Sequence, residues 1–288
     1  MPSLPIVLAH GYFGFGVLGP LSYFNNVAKI LAQIGAKEVF AADVAPKGGI
    51  SERSAQLATQ IRQHAPNTKV HVIAHSMGAL DARFLIAKAN GREIIASLTT
   101  LGAPFRGTIA ADVVADPLKF KQIGAAPLLA AIARYELHAV AQWPFAVGAQ
   151  THFAINELRA AVQNLATGDY SHVVSYFNGV FSLDDDALRE LTADNCKRMF
   201  PDDERDLEGV PAFSYAGSIQ PASASPFFVA SAILLDAVGQ PGDALIPLNS
   251  AKLRNHRQTL PVDHSGLIGW SPTDVSDLYR QIYAALAP

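Results

Sequence analysis

Ser76 is the only serine in the chain with a glycine two positions on, in the run Val70-His71-Val72-Ile73-Ala74-His75-Ser76-Met77-Gly78. A β-branched stretch precedes it, and residues 79–86 carry helix-like apolar spacing after it. The serine therefore sits at a sharp strand-to-helix turn, where small residues two before and two after let neighbouring backbone approach closely. Ala74 takes the first of those places in lieu of glycine. A hydroxyl exposed in this way is suited to nucleophilic attack on a carbonyl, provided an imidazole removes its proton and a carboxylate orients the imidazole.

The partners are sought downstream, in the order serine, acid, histidine. Gly242-Asp243-Ala244 puts an aspartate in a turn, and Gln258-Thr259-Leu260-Pro261-Val262-Asp263-His264 reads as a short last strand with a histidine at its end. The chain has nine histidines, most of which must be structural. His256 precedes that strand, His75 is locked in the elbow and His10 braces a loop, so His264 is preferred as the base. Asp236 lies in an apolar helix candidate and Asp263 adjoins His264, so Asp243 is favoured as the acid. Asp81 and Arg83 read as a structural pair beside the elbow helix, and Cys196, the single cysteine, as a spare thiol.

His10-Gly11-Tyr12-Phe13-Gly14-Phe15-Gly16 follows the first apolar run, Pro5-Ile6-Val7-Leu8-Ala9. One reading is a dinucleotide loop, with Asp43 as the ribose ligand at the end of the next strand. Pro20 and the bulky aromatics crowd the place where pyrophosphate would lie. The better reading is an oxyanion loop, in which the N–H of Tyr12 and that of Met77 face the developing charge. Phe13, Phe105, Leu128 and Ile246 are candidates for an apolar substrate wall.

Stepping outward, residues 21–34 predict a helix ending at Gly35, residues 38–44 a strand, and Ser51 the cap of a helix reaching about His64. A further strand follows at 94–101. This β-α alternation implies a mostly parallel sheet of about six strands with helices on both faces. From 110 to 209 the alternation stops, with helix candidates at 128–141 and 156–165 and a charged stretch at 184–208. Because strand pattern resumes at 212–219, the insertion reads as a helical cap, or lid, within a single domain spanning 1–288. A separate helical domain is the alternative. Helices are also expected at 226–238 and 273–286.

Half the 288 residues are hydrophobic and only 16% charged, so a large core is readily supplied. A net charge of −3 and a pI near 6.3 argue against nucleic acid as a partner. One cysteine permits no intrachain disulfide. No signal peptide precedes the first strand, leaving two expectations: a cytoplasmic protein, or a secreted one whose leader has been removed.

Together the motifs resemble the true lipases of bacteria, the α/β-hydrolase group with Pseudomonas, Burkholderia and Proteus members. The matching stretches are residues 5–11 with Gly14-Phe15, Ala74-His75-Ser76-Met77-Gly78, Leu101-Gly102-Ala103-Pro104 with Gly107-Thr108, Ser214-Tyr215-Ala216-Gly217, Gly242-Asp243 and Asp263-His264. The cap matches through Ala187-Leu188-Arg189-Glu190-Leu191-Thr192. The resemblance implies an α/β-hydrolase fold with a helical lid and a triacylglycerol or other carboxylic ester as substrate. A monomer that meets lipid at a lipid–water interface is expected. A short-chain esterase, a thioesterase or a polyhydroxyalkanoate depolymerase would share the triad, whereas a non-catalytic hydrolase-fold binding protein normally loses one of its residues, and the intact set argues against it. Such lipases commonly hold a structural calcium through acidic residues after the catalytic histidine. Here Ser265-Gly266-Leu267-Ile268-Gly269-Trp270 follow His264 and no aspartate stands near residues 219–224, which argues against that calcium; no metal or cofactor is expected.

Overall fold

The computed structural model describes residues 4–12, 14, 16–18, 21–116, 118–142, 156, 159–160, 162–164, 186–201 and 204–286. Six strands form one sheet: β1 (Ile6–Ala9), β2 (Val39–Ala42), β3 (Val70–His75), β4 (Ile95–Leu101), β5 (Ala212–Gly217) and β6 (His256–Leu260). Their order is β2-β1-β3-β4-β5-β6, and every neighbouring pair is parallel. All residues of β1 and β3 are buried, which explains why both read as continuous apolar runs in place of an alternation.

Helices cover both faces, and the two-residue period of the strands decides which side chain meets which helix. Val7, Ala9, Val72 and Ala74 point into the core shared with α2 (Ile50–His64) and α3 (Met77–Lys88). Ile6, Leu8 and Ile73 point to the opposite core, shared with α1 (Val27–Gln33) and the last helix, Ser276–Ala285. The chain goes outward from β1 to β2 and then returns to β3 on the other side of β1. That reversal opens a crevice between the carboxyl ends of β1 and β3, where His10 and Ser76 emerge.

Between β4 and β5 the described residues form helices and no strand: α4 (Ile109–Ala115), α5 (Leu118–Ile123), α6 (Ala125–Gln142), α7 (Asp186–Glu190) and α8 (Ala193–Met199). Thr108 caps α4, its side chain accepting from the Ala110 N–H. α4 packs on α7 and α8, and α6 packs on α9 (Val229–Ala237). Most of the helix expected at 156–165 lies outside the described residues. Beyond α9 come α10 (Leu248–Ala251) and the closing helix α11 (Ser276–Ala285).

Three local expectations are corrected. The helix expected over 21–34 begins only at Val27, because Asn26 adopts a left-handed conformation at φ 59°. Leu21–Ser22 instead pairs with Val17–Leu18 as a short antiparallel ribbon, and Tyr23 and Phe24 turn inward beside His75. Ser51 does not cap α2: Gly49 holds that position without a side-chain bond, and the Ile50 N–H donates to the Glu190 carboxylate from α7. Finally, Asp81 and Arg83 are not partners. Asp81 pairs with Arg53 at 2.8 Å and Arg83 with Asp206 at 2.7 Å, since residues two apart on a helix face different ways.

Candidate active site

Ser76 links β3 to α3 with φ 55° and ψ −130°, a backbone region costly for any residue with a Cβ. The elbow is kept tight by what surrounds it. A Cβ on Gly78 would stand 2.5 Å from the His10 carbonyl oxygen and 2.6 Å from that of Ala9, so only glycine lets α3 start this close to β1. A Cβ on Gly11 would meet the Ser76 Cβ at 2.6 Å. Ala74 is tolerated because its methyl belongs to the α2/α3 core and does not face the turn.

The sheet brings Asp243 and His264 together. Asp243 Oδ2 lies 2.8 Å from His264 Nδ1, and the His264 N–H donates to the Asp243 carbonyl at 2.7 Å. The other carboxylate oxygen, Oδ1, accepts the N–H groups of Leu245 at 3.1 Å and Ile246 at 2.7 Å. Asp243 is fully buried, so its charge is met entirely by these donors. Gly102, at φ 55°, leaves room for the pair: a Cβ there would be 2.8 Å from Asp243 Oδ2 and 3.1 Å from His264 Nδ1. With Nδ1–H committed to the acid, Nε2 is left as an acceptor, the form a general base needs. Ser76 and His264 line one cavity. His256 opens β6, where it bonds Ser214, and does not precede the strand.

Tyr12 lines the same cavity, and Met77 is the first residue of α3, where helix geometry leaves the N–H without an intrahelical acceptor. Both candidate oxyanion donors are thus at the crevice. His10 braces their loop as expected, with Nδ1–H donating to the Gly11 carbonyl at 2.9 Å and Nε2 accepting the Val44 N–H at 3.2 Å. Buried Arg53 grips the same loop through the His10 carbonyl at 2.8 Å. Burial pushes the paired Asp81 carboxyl up to about 7 against the opposing pull of Arg53. Asp43 accepts the Gly16 N–H at 3.2 Å and so serves the loop, not a ribose.

Burial lowers the His10 pKa to about 4. The unfolded chain then takes up a proton between pH 6.5 and 4 that the folded chain refuses, so this contribution is complete above pH 6.5 and lost on acidification, on the order of 3 kcal/mol. We expect the fall in Tm across that window to be shallower in His10→Gln than in the wild type, by thermal melting at stepped pH. Equal slopes would exclude His10 as the cause.

The cavity holding Ser76 has a volume of about 400 Å³. Ile246 lines it, as expected, together with Leu188 and Leu191 from the insertion, and Phe228. Phe105 and Leu128 do not: both are buried in the hydrophobic core, Leu128 on α6 where it packs on α9 and Phe105 under the Arg83 guanidinium, 5.3 Å from its ring centre. Residue spacing along the sequence could not tell the side of the chain facing the site from the side facing the core. Phe13 lies outside the described residues. Sequence reasoning missed Tyr23, Phe227 and Trp270, which also line the cavity. Phe227 and Trp270 are 66% and 42% exposed, and an exposed aromatic carries no signal in a single sequence.

Residues 5–172 match the family described as alpha/beta hydrolase fold, more than half of the chain. The chain belongs to that family. The chain is 38% identical to a triacylglycerol lipase of Pseudomonas fragi over 111 residues, 38% of the chain and 37% of that protein. It is 34% identical to a triacylglycerol lipase of Vibrio cholerae over 113 residues, 38% of the chain and 35% of that protein. The matches therefore span less than two fifths of these relatives' length. In structure the chain is similar to a Bacillus licheniformis lipase, with a TM-score of 0.62 at 17% identity, covering 97% of this chain and 91% of that one. The resemblance to bacterial lipases drawn from the motifs agrees with these relatives.

Among the described residues no group of three His, Cys, Asp or Glu side chains could hold a metal ion. The carboxylate next to the base along the chain, Asp263, accepts the N–H of Ser225 at 3.0 Å, the Ser265 hydroxyl at 2.9 Å and the N–H of Gly266 at 2.8 Å.

Proposed function

We propose that the protein is a serine ester hydrolase acting on triacylglycerols through an acyl-enzyme on Ser76. The observation that carries this reading is His264, held by Asp243, meeting Ser76 in one largely apolar cavity. Ser76 Oγ attacks the ester carbonyl as its proton passes to His264 Nε2. The oxyanion forms against the N–H groups of Tyr12 and Met77. The intermediate collapses with expulsion of the alcohol, which takes the proton from Nε2. Water then attacks the acyl-enzyme with His264 again as base, and the acid leaves.

Phe227 and Trp270 at the cavity and the leucines from the insertion support a lipid substrate approached at a lipid–water interface. The insertion is proposed as the lid, and the chain as a monomer. No helix among the described residues is long and apolar enough to cross a membrane.

The test is a chain-length profile of nitrophenyl esters and emulsified triglycerides beside labelling by a serine-directed phosphonate. A lipase gives label on Ser76 and activity that rises with emulsified long-chain substrate. Label with activity confined to short soluble esters makes it a carboxylesterase instead. Absence of label on Ser76 sinks the mechanism.

A further inference from the structure

Two polar side chains that the mechanism does not use lie against its parts. Tyr23 reaches in from the segment before α1, and its hydroxyl is 2.8 Å from His75 Nδ1. Gly11 of the oxyanion loop lies against that hydroxyl, which a Cβ on Gly11 would meet at 3.0 Å. On the far side of the ring, His75 Nε2 is 2.9 Å from the carbonyl oxygen of His264. A carbonyl oxygen only accepts, so Nε2 carries the hydrogen, Nδ1 accepts, and Tyr23 donates. The two imidazole rings lie 4.3 Å apart at their centres, and burial, with the neighbouring His264, holds the His75 pKa well below 6.5. The ring therefore stays uncharged beside a base that becomes an imidazolium at each turnover.

One hydrogen-bonded chain thus runs from Tyr23, packed against the oxyanion loop, through His75 to the backbone of the general base, whose own N–H goes on to Asp243. Each contact lies between different elements: the first loop, the segment before α1, the end of β3, and the turns holding Asp243 and His264. Packing alone would not fix their mutual register to the few tenths of an ångström that proton transfer requires. We infer that Tyr23 and His75 are positioning residues, which register the oxyanion loop and His264 against each other across the serine elbow. This rests on the proposed hydrolase mechanism.

Tyr23→Phe removes one hydroxyl from the chain and keeps the ring. Its expected effect is a kcat on the order of tenfold lower with KM unchanged, because ground-state contacts with the substrate survive. His75→Leu should lose as much or more, and His75→Gln, whose amide can offer a donor to the His264 carbonyl, should recover part of it. The double variant Tyr23→Phe/His75→Leu should be no worse than His75→Leu, since the two act as one unit. Wild-type kcat in Tyr23→Phe, or losses that multiply in the double variant, would overturn the inference. A readout without turnover separates it from the proposed activity: ¹⁵N spectra should show His75 protonated at Nε2 alone from pH 5 to 8, with its Nδ1 resonance displaced in Tyr23→Phe. A His75 that titrates in that range, or an Nδ1 signal indifferent to Tyr23, overturns it whether or not any ester is cleaved.

Discussion

Ser76→Ala is expected to lower ester hydrolysis by on the order of 10⁶-fold and leave the fold unchanged. The residue is buried at the junction of β3 and α3, and no structural bond to its hydroxyl is needed to hold the turn: the Ser76 N–H already donates to the Leu101 carbonyl at 2.9 Å and the Ala79 N–H to the Ser76 carbonyl at 3.1 Å. Alanine keeps the Cβ, so it keeps the strain of a positive φ. Ser76→Gly removes nucleophile and strain together. Strain of this kind costs about 1–3 kcal/mol, and glycine loses about 0.5–1 kcal/mol of chain entropy on folding. The glycine variant should therefore melt higher than the alanine one, by on the order of 1 kcal/mol, with both inactive. Rates with a nitrophenyl ester and melting curves on the same preparations check both statements. A Ser76→Ala enzyme that retains a tenth of the wild-type rate would remove Ser76 from the mechanism. A glycine variant no more stable than alanine would show that the elbow is not strained.

Strain of that sort could be anticipated from the sequence because glycine and alanine flank the serine at the positions where backbone must come close. The same holds for the parallel core. Ile6–Ala9 and Val70–His75 are buried on both faces, so their apolar runs carry the signal unmixed. Ser76 and His264 were legible as candidates because one ends a strand and the other soon follows one, whereas Asp243, in a turn after α9, was picked out by its place in the order serine, acid, histidine. The acyl wall was not legible. Phe105 and Leu128 are as apolar as Ile246, and which of them meets the cavity depends on the rotation of α6 and of the turn after β4. No periodicity records that. Arg53 escaped notice for a different reason. A charged residue among the exposed positions of an amphipathic helix looks solvated, yet this one lies on the buried face of α2 with Leu57 and Ile61 and is wholly buried against the oxyanion loop. Tyr23 was hidden by the helix that its neighbours seemed to predict; the left-handed turn at Asn26 frees it to reach His75.

Asp243→Asn should cost about 10⁴-fold in kcat, and the hydrogen bonds around the side chain say why so conservative a change does so much. Asp243 Oδ1 accepts two backbone donors, Leu245 N–H and Ile246 N–H, and Oδ2 accepts from His264 Nδ1. An asparagine has one oxygen for these three donors. Turning its amide group toward Leu245 and Ile246 would set N–H against N–H at a buried site, at a cost of several kcal/mol. The side chain must therefore keep its oxygen on the turn and present its NH₂ to His264. That group can only donate, so Nδ1 must accept and the ring proton moves to Nε2. Nε2 faces the serine, and with a hydrogen in place of its lone pair it cannot accept the serine proton. The base is present, in place and in the wrong tautomer. Asp243→Ala leaves the ring free to choose its tautomer but orphans the two backbone amides. It should hydrolyse ester no more slowly than Asp243→Asn and melt at a lower temperature. The decisive measurement is the pair of kcat values with the ¹⁵N spectrum of His264. Nδ1-protonated imidazole in Asp243→Asn, or near wild-type kcat, would show that Asp243 does not set the tautomer.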